Sequence, residues 1–225
     1  MANALVTGAS RGLGLALTRA LSERGWRVTV DARDGEALRR AVRGLPGVVS
    51  LPGDVRNPAH RLALVQAAGA RIDLLVNNAS ILGPSPLPPL AEHSLEELRR
   101  VLEANTIAPL ALVQLVLPRL VPGAAILNIS SDAAVEPYEG WGGYGASKAA
   151  LDQLSAILAA ESPGVRVYAV DPGDMRTQLH QEAFPGEDIS DRPLPEESVP
   201  GLLALVEGTL PSGRYRAREL AGLPV

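Results

Sequence analysis

Along most of its length the chain alternates between short apolar runs rich in β-branched residues and longer segments with helical periodicity. Ala4 to Val6 is followed by a helical pattern from Leu13 to Arg24, Arg27 to Val30 by Glu36 to Val42, and Val48 to Leu51 by His60 to Ala68. The alternation continues through Leu74 to Asn77, Leu95 to Leu117, Ala125 to Ile129, Tyr144 to Ala159 and Val165 to Val170. Strands separated by helices pair in parallel, because the helix is the crossover that brings the chain back to the same end of a sheet. Near-continuous apolar strands such as Ile126-Leu127-Asn128-Ile129 need helices on both faces. With right-handed crossovers, the expected class is α/β: a doubly wound parallel β-sheet flanked by helices on both faces. Gly213 to Arg218 offers an additional edge strand. Residues 174–200, rich in Pro, Gly and acids, read as a flexible excursion rather than a domain boundary, so residues 1–225 are expected to form one domain.

Composition narrows what such a sheet could serve. A chain of 225 residues can close a core without staples, and it has no cysteine, which excludes disulfides, thiolate zinc sites and a cysteine nucleophile. No metal centre is expected. A net charge of -4 with scattered basic residues opposes a nucleic-acid footprint and points to a small-molecule partner. No apolar run approaches the roughly 20 residues of a membrane span, and the longest, Ile107 to Val121, contains Pro109 and Pro118. No membrane partner is therefore expected. The start at Met1 lacks the basic and long apolar stretches of a secretory signal, so a cytoplasmic location is expected. Of the 21 basic residues only Lys148 is a lysine, which raises the question of what arginine could not do there.

The first strand runs directly into Thr7-Gly8-Ala9-Ser10-Arg11-Gly12-Leu13-Gly14 and then a helix. Backbone N–H groups and the positive helix end face whatever occupies that turn, an arrangement suited to a pyrophosphate in a Rossmann-type fold. Its spacing is TGxxxGxG, and here the chain resembles the short-chain dehydrogenase/reductase family. Asp54-Val55 resembles the family's adenine-contacting pair, and Asn77-Asn78-Ala79-Ser80 its NNAG element with serine for the last glycine. Asn105, Ser131, the YxxxK element Tyr144 to Lys148, and Pro172-Gly173 through Met175 to Thr177 follow in family order. The resemblance implies a homodimer or homotetramer built on the helices that carry Asn105 and Tyr144.

Two features bear on the cofactor. Asp31 lies about where an acid would bond the adenosine ribose of NAD(H). The family alignment instead places Ala32 at the acid position and puts Arg33 and Arg11 where NADP-preferring members carry basic residues. A guanidinium binds a 2′-phosphate in bidentate fashion. NADP(H) is therefore expected over NAD(H).

Tyr144 and Lys148, at i and i+4, face one pocket from one side of a helix. A free phenol is mostly protonated at neutral pH, and a nearby ammonium and the oxidised nicotinamide would both lower its pKa. Lysine suits the place as a compact charge with three donors that can also hold ribose hydroxyls. The resemblance implies that Tyr144 donates or removes the proton of a carbonyl or alcohol substrate, that Ser131 rather than Ser130 holds the substrate oxygen, and that Asn105 holds a relay water. Val135, Tyr138 and Trp141 are expected to line the substrate pocket, with the segment from Met175 to Phe184 closing over it. Glu136 and His180 are candidates for reading a polar substrate. The competing reading is a catalytically silent NADP(H)-binding sensor on the same fold.

Overall fold

The computed structural model describes residues 1–222. Seven parallel strands form one sheet: β1 (Asn3–Val6), β2 (Arg27–Ala32), β3 (Val48–Pro52), β4 (Ile72–Asn77), β5 (Leu120–Ile129), β6 (Arg166–Asp171) and β7 (Gly213–Arg216). Their order is β3-β2-β1-β4-β5-β6-β7, so the winding reverses between β1 and β4 and opens a crevice at the carboxyl ends of those strands. The connecting helices are α1 (Gly12–Glu23), α2 (Gly35–Ala41), α3 (Pro58–Ala68), α4 (Leu95–Leu102), α5 (Ala108–Val116), α6 (Gly142–Glu161), α7 (Gln178–Ala183), α8 (Val199–Glu207) and α9 (Ala217–Leu220).

Successive strand residues feed opposite layers. Val6, Leu74, Leu127 and Tyr168 pack with Leu17, Leu21, Leu202 and Leu205 on the side of α1 and α8. Their neighbours Leu5, Leu75, Ile126 and Val167 pack with Leu64, Leu112 and Val116 on the side of α3 and α5. Each leucine or isoleucine so buried stabilises by about 2 kcal/mol relative to exposure. Buried polar groups add direction: Asn77 Nδ2 donates to Asn128 Oδ1 at 2.8 Å, and Asn128 Nδ2 donates to Ser155 Oγ at 2.8 Å. That ladder fixes α6 against β4 and β5, and with it the helix that carries Tyr144 and Lys148.

The structure departs from the sequence expectation in three places. The helix expected from Leu95 to Leu117 contains a π turn at Glu103–Ile107, and Pro109 falls in the first turn of α5, where its missing N–H costs no bond. The prolines therefore do not break it: Leu95–Arg119 is a helical stretch of 25 residues, long and apolar enough by length and composition to cross a membrane, with Leu112, Val113 and Val116 buried on the sheet. Residues 174–200 are not a loose excursion. They carry α7 and a 3-10 turn at Pro195–Ser198, and are pinned by Arg176 N–H donating to Pro193 O and Ser198 Oγ to Pro172 O, both at 2.8 Å. Lastly, α8 is buried over most of its circumference and so has no polar face from which a helical period could be read.

Candidate active site

The glycine turn after β1 is shaped by what lies behind it. Gly8 and Gly12 have φ of 71° and 56°, a region where a side chain is strained. A Cβ on Gly14 would lie 2.5 Å from Gly8 O, so only glycine lets α1 approach the turn this closely. Thr7 Oγ1 accepts from the N–H groups of Asn78 and Ala79, both at 3.0 Å, and Asn78 Nδ2 donates to Thr7 O at 2.8 Å. Thr7 and Asn78 thus lock the turn to the loop after β4. Arg11 occupies the cap of α1; among the described residues no side chain caps this helix, and its first turn holds no acid. Leu13 is buried beneath the turn, while a Cβ on Gly12 would lie 3.5 Å from Thr177 Cγ2. Ser10 completes the turn. Free N–H groups, positive dipole and a cradle that a Cβ would fill together fit a pyrophosphate.

Asp31 lies underneath and is 1% exposed. Its Oδ1 accepts from Gly8 N–H at 2.8 Å, and its Oδ2 lies 3.0 Å from His60 Nε2. It therefore shapes the turn from inside the protein. Arg11 and Arg33 are exposed, and among the described residues neither forms an ion pair. Arg33 directly follows β2, and Arg11 directly precedes α1 in the turn after β1. Asp54 is held by Arg56, 2.6 Å away, which keeps its carboxyl below the usual range; Val55 beside it is buried.

At the far side of the crevice, Lys148 is 2% exposed and its Nζ donates to Ile129 O at 2.8 Å, 5.4 Å from the centroid of the Tyr144 ring. Burial lowers the Lys148 ammonium to about 8, with the Asp152 carboxylate opposing. Burial raises the Tyr144 phenol, against the neighbouring hydroxyls of Ser80 and Ser131. The free protein thus keeps Tyr144 protonated, against the lowering expected from a neighbouring ammonium. Ser131 Oγ donates to Asp132 Oδ1 at 3.0 Å and accepts from Ala133 N–H at 3.2 Å. Ser130 Oγ is buried and, among the described residues, without a partner.

Asn105 sits in the π turn, 1% exposed. Its Nδ2 donates to Ile81 O and Ser147 Oγ and its Oδ1 accepts from Ile81 N–H, so the side chain spans the loop after β4 and α6. Among the described residues none of its side-chain bonds goes to Lys148. Pro172 and Gly173 follow β6, with Asp171 Oδ1 accepting from Gly173 N–H at 2.9 Å; Met175 packs on the core, and Thr177 caps α7 by accepting from His180 N–H.

Of the expected substrate residues, Trp141 stands between Tyr144 and Phe184, with ring centroids 5.7 and 6.0 Å away. Tyr138 borders Trp141 and donates to Asp132 Oδ2 at 2.9 Å. Val135 is 54% exposed and lies outside this apolar cluster. Glu136 is exposed, and His180 is buried against Phe184. A cavity of about 390 Å³ adjoins the site between Asp132, Tyr138, Gly173 and Arg216. Sequence reasoning missed Asp132, although it adjoins Ser131, and Ser80 as a neighbour of the phenol. It also missed Arg214, whose Nη2 donates to Ser131 O at 2.9 Å from 83 positions away, a separation with no local signature.

A family model described as short chain dehydrogenase matches residues 2–188. The rhamnolipids biosynthesis 3-oxoacyl-(acyl-carrier-protein) reductase of Pseudomonas aeruginosa is 32% identical over 99% of this chain and 87% of its own. The 3beta-hydroxysteroid dehydrogenase 1 of Eggerthella lenta is 33% identical over 96% and 87%. A solved short chain dehydrogenase from Shigella flexneri, complexed with NADP, superposes with a TM-score of 0.88 at 27% identity over 96% of each chain.

The buried ammonium makes stability depend on pH. An unfolded lysine titrates near 10.5, so between about 8 and 10.5 the unfolded chain binds more protons than the folded one, and stability rises with pH. Relative to Lys148→Met, the natural protein gains up to about 1.4 kcal/mol per pH unit in that window. Urea denaturation of both proteins at pH 7.5, 8.5 and 9.5 measures the difference; parallel trends would contradict it.

Proposed function

Because the chain belongs to the short-chain dehydrogenase family, we propose that it is an NADP(H)-dependent reductase of small carbonyl compounds, with Tyr144 as the proton donor. The observation that carries this reading is the pair itself: a buried phenol kept protonated one helical turn from a buried ammonium. When bound, the nicotinamide supplies the hydride for a carbonyl carbon. Ser131 Oγ turns from Asp132 to the substrate oxygen. Tyr144 protonates that oxygen, its own O–H bond breaking as the new one forms, and Lys148 faces the resulting phenolate. Alcohol oxidation runs the same proton path in reverse. Trp141 and Phe184 give the substrate an apolar wall.

Gly8, Ser10, Gly12, Leu13 and Gly14 would hold the pyrophosphate, and Ala79, Ser80 and the Pro172 to Thr177 segment would flank the nicotinamide half. NADP(H) is favoured because Asp31, both of whose oxygens are engaged in the interior, offers no free carboxylate for a ribose hydroxyl, while Arg11 and Arg33 stand exposed where a 2′-phosphate would lie. Short chain dehydrogenases complexed with NADP and with NADPH among the structural neighbours support the same choice. A second copy of the chain would cover the groove between α5 and α6, which Leu110, Val113, Leu154 and Leu158 line.

Arg33→Ala should cost NADPH at least about tenfold in affinity, about 1.4 kcal/mol, and leave NADH unchanged; nicotinamide-fluorescence titration measures both, and equal losses would redirect the cofactor assignment. Tyr144→Phe should lower NADPH-dependent kcat/KM on a carbonyl panel at least about 100-fold with NADPH affinity retained. A variant as active as the natural protein would sink the acid role, and absence of turnover in both would favour the silent sensor. Sedimentation at micromolar concentration should show a dimer or tetramer; a monomer refutes the pairing through α5 and α6.

A further inference from the structure

Outside the residues already assigned, Arg214 on edge strand β7 is a charged group that reaches three elements of the site. Its Nη2 donates to Ser131 O at 2.9 Å, its Nε donates to Asp152 Oδ2 at 2.9 Å, and its Nη2 lies 3.8 Å from Asp171 Oδ2. Asp152 is four residues beyond Lys148 and eight beyond Tyr144, on the same face of α6. Its side chain is 14% exposed, and among the described residues its buried Oδ1 has no hydrogen-bond partner.

We propose that Asp152 and Arg214 are positioning residues for the reaction, Asp152 as the counter-charge of Lys148 and Arg214 as the strut that couples this carboxylate to the backbone of Ser131. The proposal deepens the reductase reading and rests on it for the roles of Ser131 and Lys148. Stability alone is a poor reason for such a pair, since the cost of desolvating two ions offsets most of their attraction. Its connections explain it better: one guanidinium touches the strand end that presents Ser131 and the helix that presents Lys148. On its own helix Tyr144 and Asp152 flank Lys148 at i−4 and i+4, and the elements packed on α6 carry Asp132 (3-10 turn), Asp171 (β6), Arg214 (β7), Glu103 (π turn) and Glu96, Glu97, Arg99 and Arg100 (α4). Among these the Asp152 carboxylate acts on the ammonium, against its burial. Asp132 and Asp171 act on Tyr144.

The signs follow from the charges. Without the Asp152 carboxylate the ammonium loses its proton at lower pH. Without Arg214 the same carboxylate is relieved of its cation and holds the proton to higher pH. A merely structural pair would not move the titration in opposite directions.

Because Lys148 is the sole lysine, protein grown with labelled lysine shows one side-chain resonance, and its titration can be read without turnover. Asp152→Asn should lower the midpoint by about one pH unit, Arg214→Gln should raise it, and Arg214→Lys should stay near the natural protein. In NADPH-dependent reduction the alkaline limb of kcat/KM should follow each midpoint, and Arg214→Gln should also lower kcat about tenfold with KM for NADPH unchanged. Midpoints that stay put, or that move together, overturn the proposal even where turnover is normal. Should Arg214→Gln fail to fold, the near-isosteric Asp152→Asn decides by itself. Midpoints that move as stated in a protein with no reductase activity would support the electrostatic coupling while removing the reductase reading.

Discussion

An ammonium taken out of water carries a cost of several kcal/mol unless the protein replaces what the solvent provided. Lys148 is such a group, and much of the site can be understood as its replacement solvent. The carbonyl of Ile129 accepts a hydrogen bond from it at the end of β5, the face of Tyr144 lies beside it, and the carboxylate of Asp152 stands a turn further along α6. Those three partners come from one strand and one helix, so the charge is tolerated only while β5 and α6 keep their register. The buried ladder from Asn77 through Asn128 to Ser155 holds that register with directional bonds, where apolar contacts alone would let α6 slide.

The other half of the crevice solves a different problem, keeping a turn of backbone open toward solvent while packing a helix directly behind it. Gly14 removes the side chain that would separate α1 from Gly8, and Thr7 and Asn78 tie the turn to the neighbouring strand end. Asp31 then uses its charge inward, on the N–H of Gly8 and on His60. A carboxylate so engaged shapes the cradle from inside the protein.

Much of this was legible in the sequence because it repeats or lies close in the chain. Parallel strands buried on both faces leave continuous apolar runs, the glycine turn has a fixed spacing, and Tyr144 and Lys148 are one helical turn apart, so their juxtaposition follows from helix geometry alone. Other features depend on contacts that no local pattern encodes. The inward orientation of Asp31 required His60 from α3, and the attachment of Ser131 to Arg214 required the last strand to be placed at the sheet edge. The π turn at Glu103–Ile107 was hidden because helical periodicity does not distinguish a one-residue bulge, and Pro109 looked like a break when it begins a new helix. Helix α8 was missed for the converse reason, since an element buried all round has no alternation to read.

Burial acts in opposite senses on the two central groups, and the combination matters for the proposed chemistry. It pushes the phenol of Tyr144 up and the ammonium of Lys148 down, because in each case it disfavours the charged form. A phenol so placed is a reluctant acid toward weak bases such as water, which guards its proton until a stronger base arrives. The oxygen of a carbonyl becomes such a base only as hydride reaches the carbon, so proton transfer is tied to the moment of reduction. In the proposed chemistry the phenolate that remains lies beside the Lys148 ammonium, whose opposite charge offsets part of the cost of burying it. The position asks for a compact point charge, which lysine supplies and a planar guanidinium does not.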